Sequence, residues 1–363
     1  PIGTIQEYRL RVIQPTGNNY LMDVSIIIVN WNSADYVHAC IQSLHEQTSG
    51  MAYEVIVVDN ASFDGCGERL ATEFPGVVFV QSQSNLGFGR ANNLGAKHAN
   101  GKVLLFLNPD TDIKDRAIDR LHEQFCRLDH PGAVGCRLLN SDGSLQKSCI
   151  QALPTVLNQI LDADVLQRWF PKSGFWGAAA LYEGKMEAVE VEVVSGACLM
   201  MRKDVFECVG GFSPEFFMYG EDLDLCFKAR LAGLRNYHVG QAVIVHHGGG
   251  SSDRAISNFS NVLVRESMSR FLRKSRGPLY SSCYRAAMCG MAVIRMTLLG
   301  VLFPAWLAGG GVRRWRAVFR KWWGVLRWGL GLEQWTRQYD RLEPVPVGPT
   351  DGEVNSCVGS AGS

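Results

Sequence analysis

The run Val24-Ser25-Ile26-Ile27-Ile28-Val29 constrains this chain more than any other stretch. It is a continuous β-branched run of strand length, and such a run fits a strand buried on both faces, as in a parallel sheet. The pattern then repeats. Glu54-Val55-Ile56-Val57-Val58, Val77-Val78-Phe79-Val80 and Lys102-Val103-Leu104-Leu105-Phe106-Leu107 read as further strands. Helical segments fall between them, around Tyr36 to Gln47, Gly67 to Phe74 and Ala91 to Ala99. Strands alternating with helices at this spacing predict an α/β, Rossmann-like doubly wound sheet. In such sheets ligands bind beyond the carboxyl ends of the strands. Three polar clusters lie at such ends: Asn30-Trp31-Asn32-Ser33, Asp59-Asn60-Ala61-Ser62 and Asn108-Pro109-Asp110-Thr111-Asp112.

Several function classes fall away. The segment Asn85-Leu86-Gly87-Phe88-Gly89-Arg90 is not G-x-G-x-x-G, and no G-x-x-x-x-G-K-[ST] occurs. Dinucleotide and P-loop readings therefore lack their phosphate cradle. A formal charge of +1 over 363 residues argues against nucleic acid as a partner. Eleven cysteines are scattered without C-x-x-C pairs and no signal peptide pattern opens the sequence, so free thiols in a reducing compartment are expected.

A second acidic cluster, Glu221-Asp222-Leu223-Asp224, opens an amphipathic helix, with Gly233 as its stop. Acids in a first turn suit the helix dipole, which is the bland reading. Adjacent acids also raise each other's pKa, which suits a general base. About two dozen residues on, the strand Ala242 to Val245 ends in His246-His247-Gly248-Gly249-Gly250. Asp59 fits either a contact to a nucleobase ring N–H or a helix N-cap. Asp110 and Asp112 could offer oxygen ligands to a hard divalent ion, or cap the next helix; Asp112 is assigned to the cap. Ser195-Gly196-Ala197 follows an alternating strand, Val189 to Val194, and its small residues serve either close packing or room for a ligand.

Eight motifs occur in the order seen in family 2 glycosyltransferases: V-S-I-I-I-V-N-W-N, V-V-D-N-A-S, N-L-G-F-G-R-A-N-N-L-G, L-F-L-N-P-D-T, V-S-G-A-C-L-M-M-R, V-G-G-F-S-P-E-F-F, G-E-D-L-D-L and H-H-G-G-G-S. Over residues 23–275 the chain resembles that family, and within it bacterial rhamnosyltransferases. The resemblance implies a GT-A fold, a nucleotide-sugar donor, inverting transfer and Mg²⁺ or Mn²⁺ as cofactor. It implies donor-binding roles for Asn30, Asn32, Asp59, Asn85, Gly87, Arg90, Asn108 and Asp110. Asp222 matches the base, with Glu221 as its neighbour. Asp110 and His246 match the metal site, with His247 the competing histidine. Asn108 stands where the family's D-x-D motif has its first acid, and Lys228 stands where the family often has Arg. The donor so implied is dTDP-rhamnose, and the acceptor a glycan or polyprenyl-linked glycan. A catalytically silent GT-A module that binds nucleotide or glycan and recruits partners is the alternative. A nucleotidyltransferase would carry a glycine- and Arg/Lys-rich loop where this chain has N-W-N-S.

The C-terminal hundred residues differ in kind. From Ser267 to Leu332 there is no Asp or Glu, and six of the nine tryptophans follow Pro304. At ~100° per residue, Trp315, Phe319, Trp322, Trp323 and Leu326 fall on one face, and Arg313, Arg316, Arg320, Lys321 and Arg327 on the other. That is the pattern of an interfacial membrane helix, or of a helix packed on the catalytic domain with a solvated basic face. Ala286 to Leu307 is nearly long enough to span a bilayer, but Arg295 and Pro304 make a span expensive. A helix lying on an anionic membrane, or at the interface of a homo-oligomer, is expected instead. The expected divisions are an N-terminal extension (1–22), the catalytic domain (23–275), a basic, Trp-rich helical region (276–343) and a disordered tail (344–363). The expected location is cytoplasmic, on the inner face of the cell membrane.

Overall fold

The computed structural model describes residues 22–161, 169–170, 172–182, 187–248, 258–309, 311–336 and 345. The expected extension and tail, apart from Met22 and Val345, lie outside the described residues, as do Gly249 and Gly250. The first half runs β1 (Val24–Asn30), α1 (Ala34–Gln47), β2 (Tyr53–Asn60), α2 (Cys66–Glu73), β3 (Val78–Ser82), α3 (Phe88–His98), β4 (Val103–Leu107), β5 (Thr111–Ile113), α4 (Ala117–Phe125) and β6 (Pro131–Leu139). There follow β7 (Ile150–Gln151), α5 (Val156–Ile160), β8 (Ala188–Val191), β9 (Val193–Val194), β10 (Cys198–Arg202), α6 (Lys203–Cys208), α7 (Glu221–Leu231) and β11 (Arg235–His246). Four helices close the described chain: α8 (Asn258–Arg276), α9 (Pro278–Val301), α10 (Phe303–Ala308) and α11 (Val312–Gly329).

Nine strands form one mixed sheet in the order β3-β2-β1-β4-β10-β6-β11-β5, with β8 also paired to β11. β3, β2, β1 and β4 are mutually parallel. The β-branched run behaves as its composition demands: every residue of β1 is buried. A fully buried Ile or Val side chain contributes about 1.5–3 kcal/mol, so this strand anchors the core. The parallel register sets Asn30 beside Asp59 and Ile28 beside Leu107, so the polar tips of β1, β2 and β4 share one edge. β5 runs antiparallel to β11 and pairs Thr111 with His246.

Three expectations are corrected. The stretch Val189 to Val194 is two strands in two sheets, because β8 pairs with β11 whereas β9 pairs with β7. The break falls at Glu192, whose carboxylate accepts from Leu153 N at 2.7 Å and whose carbonyl accepts from Asn236 Nδ2 at 2.8 Å. Asp112 caps no helix: it lies inside β5 and pairs with Lys114 at 2.7 Å, while Arg116 stands at the N-cap of α4. Nine described cysteines are free thiols, as expected, but Cys208 is disulfide-bonded.

A fourth correction, with functional weight, concerns α11. Its tryptophans do not form one outward face. Trp322 and Trp328 are buried against the neighbouring helices, and Val325 between them is fully buried. Arg295 of α9 stacks over Trp322 at 4.3 Å, and Arg285 over Trp328 at 4.4 Å. The Trp328 indole donates to Glu266 of α8 at 2.8 Å. Trp315 stacks on Phe319 and donates to Leu299 O at 2.9 Å. Of the expected apolar face only Trp323 stays exposed, at 48%. Arg327 leaves the basic face to pair with Glu333 at 2.8 Å. Among the described helices α9 alone is long and apolar enough to cross a membrane. One side of it, through Tyr284, Met288 and Ala292, is buried in the helical pack.

Candidate active site

The site lies where the parallel strands end. Asn30 and Asp59, neighbours in register, are both buried and joined by an Asn30 Nδ2 to Asp59 Oδ1 bond of 2.7 Å. Asp59 Oδ2 accepts from Gln81 Nε2 at 2.6 Å and from the backbone N–H groups of Ser62 and Phe63 at 3.1 and 3.2 Å. The carboxylate thus organises the turn after β2 and does not cap α2, whose N-cap is Gly65. The turn holds Phe63 at φ 52° and 64% exposed, an unusual backbone for a bulky residue. The same network ties in Asp64, which accepts from Asn30 Nδ2 at 3.0 Å and Ala34 N at 3.1 Å. Asn32, also left-handed at φ 52°, donates its N–H to Ser62 Oγ at 2.8 Å, so the loops after β1 and β2 are fastened together.

The segment before α3 is held by an amide pair. Asn60 Nδ2 donates to Asn85 Oδ1 at 3.0 Å, and Asn60 Oδ1 accepts from Leu86 N at 2.7 Å. Gly87 sits at φ 78° so close to Phe217 that a Cβ would lie 2.2 Å from the Phe217 carbonyl oxygen, and only glycine fits. Arg90 follows on α3. It is 1% exposed, and its guanidinium donates to the Leu86 and Pro214 carbonyls, clamping α3 to the loop before α7.

Asp110 and His246 do meet. Their Oδ1 and Nε2 atoms are 3.2 Å apart, with Asn108 Nδ2 at 3.1 Å from the same ring nitrogen. Adjacent ligands about an octahedral Mg²⁺ with bonds of ~2.1 Å stand ~3 Å apart, so this carboxylate and imidazole fit one divalent ion. No group of three His, Cys, Asp or Glu that could hold a metal ion exists among the described residues. The residues fit an ion completed by non-protein ligands. His247 points elsewhere: its Nδ1 bonds Ser141 Oγ at 2.8 Å, and only its backbone N–H contacts Asp110, at the carbonyl, 2.8 Å.

The acidic pair stands at the start of α7. Tyr219 and Gly220 both adopt positive φ, turning the chain sharply into the helix, and the helix ends at Gly233 with Leu234 N bonded to Ala229 O at 3.1 Å. Burial raises both acids above the ordinary carboxylate range, and they then diverge. Glu221 is buried and pushed up to about 8, by burial first and then by the charge of Asp222. Asp222 is only partly buried, and the backbone N–H groups of Gly196 and Leu223, at 3.0 and 2.8 Å, work against its rise. The charge of Asp222 is among the causes that raise Glu221, so Asp222 is the acid that ionises first and the one available as a base. Gly196 and Ala197 link this half to the other, because Asn108 N donates to Ala197 O at 2.9 Å.

Beneath the pair, Asp224 is fully buried. It accepts from Ser213 Oγ at 2.5 Å and pairs with Lys274 of α8 at 2.9 Å and with Lys228 at 3.6 Å. Sequence reasoning placed Asn60 in a strand-end cluster without giving it a role, and missed Asp64, Gln81 and the Lys274 partnership. Asp64 and Gln81 stand near strand ends and carried that signal; Lys274 carried none.

The description "Glycosyl transferase family 2" matches residues 25–210, just over half of the chain. An N-acetylglucosaminyl-diphospho-decaprenol L-rhamnosyltransferase of Mycobacterium tuberculosis is 29% identical over 242 residues, 63% of this chain and 77% of that one. Rhamnosyltransferase WbbL of Escherichia coli is 24% identical over 233 residues, 62% of this chain and 83% of that one. The solved mannosyltransferase PcManGT of Pyrobaculum calidifontis, in complex with GDP-Man and Mn²⁺, superposes with a TM-score of 0.55 at 16% identity, covering 86% of this chain and 88% of that one. The fold is that of the GT-A glycosyltransferases.

Proposed function

This chain belongs to glycosyl transferase family 2, and from that premise we propose that it transfers L-rhamnose from dTDP-rhamnose to a hydroxyl of a lipid-linked or cell-envelope glycan, with inversion. Asp222 takes the proton of the acceptor hydroxyl as that oxygen attacks the anomeric carbon and the bond to the nucleoside diphosphate breaks. The observation that carries this is the split between the two acids: Asp222 is partly exposed and oriented by Gly196 N–H, while Glu221 is buried, which pushes its carboxyl up to about 8. The likeness to the mycobacterial N-acetylglucosaminyl-diphospho-decaprenol L-rhamnosyltransferase supports both the sugar and the acceptor class.

Asp110 Oδ1 and His246 Nε2, with Asn108 beside them, would hold Mg²⁺ or Mn²⁺, which when bound supplies positive charge to the leaving diphosphate. Asn30, Asn32, Asp59, Asn85 and Gly87 shape the donor side through the fastened loops after β1, β2 and β3. Arg90 acts there as a clamp. Positioning by these loops and charge stabilisation supply most of the acceleration.

The helical region from residue 276 we assign to a peripheral docking function at the inner membrane face. Ile294, Leu298, Val301 and Leu302 of α9 and its end are exposed, Val301 at 71%, and Arg313, Arg314, Arg316 and Arg320 of α11 are exposed too. An exposed apolar stripe near a basic one suits an anionic lipid surface.

The test is nucleoside diphosphate release across dTDP-, UDP- and GDP-sugars with a polyprenyl-diphosphate-sugar acceptor supplied. dTDP release from dTDP-rhamnose, dependent on acceptor, is expected to exceed all others. Donor binding without release from any of them would favour the silent module.

A further inference from the structure

We propose that Gln146 is a positioning residue, fixing His246 as a single tautomer that turns the Nε2 lone pair toward Asp110. The inference rests on the proposed metal site for its consequence, but its geometry stands apart from it. Gln146 lies after the turn at Asn140-Ser141-Asp142-Gly143-Ser144, which closes with Asn140 N bonded to Ser144 O at 2.8 Å. The side chains of this turn form a polar chain whose sense is set at one end.

Asp142 can only accept when ionised, and the bonds from Ser144 Oγ and Ser144 N, at 2.5 and 2.9 Å, hold its carboxyl below the usual range. Ser144 Oγ, its proton committed there, accepts from Asn140 Nδ2 at 2.9 Å. That orients the Asn140 amide, so its Oδ1 faces Gln146 and accepts from Nε2 at 3.3 Å. The Gln146 amide is oriented in turn, leaving Oε1 at 2.7 Å from His246 Nδ1. A carbonyl oxygen requires a donor, so Nδ1 carries a proton, and in the neutral ring Nε2 then carries none even though the Asp110 carboxylate, 3.2 Å from Nε2, favours the opposite tautomer. Asn108 Nδ2, at 3.1 Å from Nε2, can donate to that lone pair. Histidine ligands of metals are commonly oriented by such a partner on the far ring nitrogen, and its loss typically costs about 10–100-fold in metal affinity.

The test reads the tautomer directly, from ¹⁵N–¹H correlation spectra of the imidazole rings in metal-free protein at pH 8. The His246 signals are identified by their absence in His246→Ala. Wild type should show Nδ1 protonated and Nε2 bare, Gln146→Glu should keep that state, and Gln146→Leu should move toward the opposite tautomer. Nε2–H in wild type, or an unchanged ring in Gln146→Leu, overturns the proposal. Titration of Mn²⁺ in the presence of dTDP, followed by loss of the free-ion EPR signal, gives the consequence. Gln146→Leu should bind about 10–100-fold more weakly than wild type and Gln146→Glu should not; equal binding by all three also overturns the proposal. If wild type binds no Mn²⁺, the metal reading fails, and the spectra alone decide the role of Gln146.

Discussion

The N–H of Gly196 donates to Asp222 Oδ2 at 3.0 Å, and a Cβ on Gly196 would stand 3.3 Å from the Asp222 Cβ. The glycine therefore lets the backbone close on the carboxylate and orient it. The next residue carries the contact across to Asn108, so the acidic pair and the Asp110–His246 pair are held by one short segment. Asp222→Asn keeps the shape and removes the base. Turnover should fall by about 10²–10⁴-fold, the range for losing a general base, with dTDP-sugar affinity within a few-fold by calorimetry. Near-normal turnover would remove Asp222 from the mechanism.

Glu221 makes stability depend on pH in a stated direction. Its folded pKa of about 8 lies above the ordinary 4.5, so between those values the folded chain keeps a proton that the unfolded chain has lost. Stability falls as pH rises through that window. Glu221→Gln removes the effect. Its Tm should match wild type near pH 4.5 and exceed it by at least about 2 °C above pH 8, since roughly 1 kcal/mol shifts Tm by that much. Parallel melting curves from pH 5 to 9 would contradict the buried, protonated state.

The Asp224–Lys274 contact ties α7 to α8 in the interior, 2.9 Å between charged atoms with Asp224 fully buried. Lys274→Met leaves the buried Asp224 charge with Lys228 alone, at 3.6 Å, and is expected to cost up to about 3–5 kcal/mol in urea unfolding. Asp224→Ala leaves Lys274, itself 37% exposed, paired with Glu215 at 2.9 Å and should cost less. The double variant should cost less than the sum, because the stranded charge is then absent.

Asp110→Ala and His246→Ala should each weaken donor binding only when Mn²⁺ or Mg²⁺ is present. With chelator, wild type and both variants should bind donor alike. A wild-type response to metal in both variants would place the ion elsewhere.

Vesicles containing phosphatidylglycerol or cardiolipin should co-sediment the protein at low salt and release it as salt screens the surface charges. Arg313, Arg314, Arg316 and Arg320 changed together to Glu should abolish co-sedimentation and leave donor hydrolysis intact. Each basic residue near such a surface contributes about 1 kcal/mol, so four correspond to roughly 10²–10³-fold in partitioning. Wild type remaining in the supernatant would make the exposed α9 stripe an interface between proteins.

The sequence by itself determined what is local or periodic. The buried run of β1, the alternation of strands and helices, the polar tips of β1, β2 and β4 and the stop at Gly233 follow from side-chain period, chain direction and backbone freedom, all written in contiguous residues. Motif order was enough to identify the family. What only the tertiary structure decided depends on partners distant in sequence. Periodicity shows that α11 has two faces, but not that Trp322 and Trp328 are covered by α8 and α9, because the covering helices present their own faces by register and crossing. His246 and His247 are adjacent, but His246 is the last residue of β11 and His247 lies beyond it; only the pairing of β11 with β5 sends His246 to Asp110. Glu221 and Asp222 are likewise adjacent, and only the packing around them buries Glu221 while leaving Asp222 partly exposed beside the Gly196 N–H.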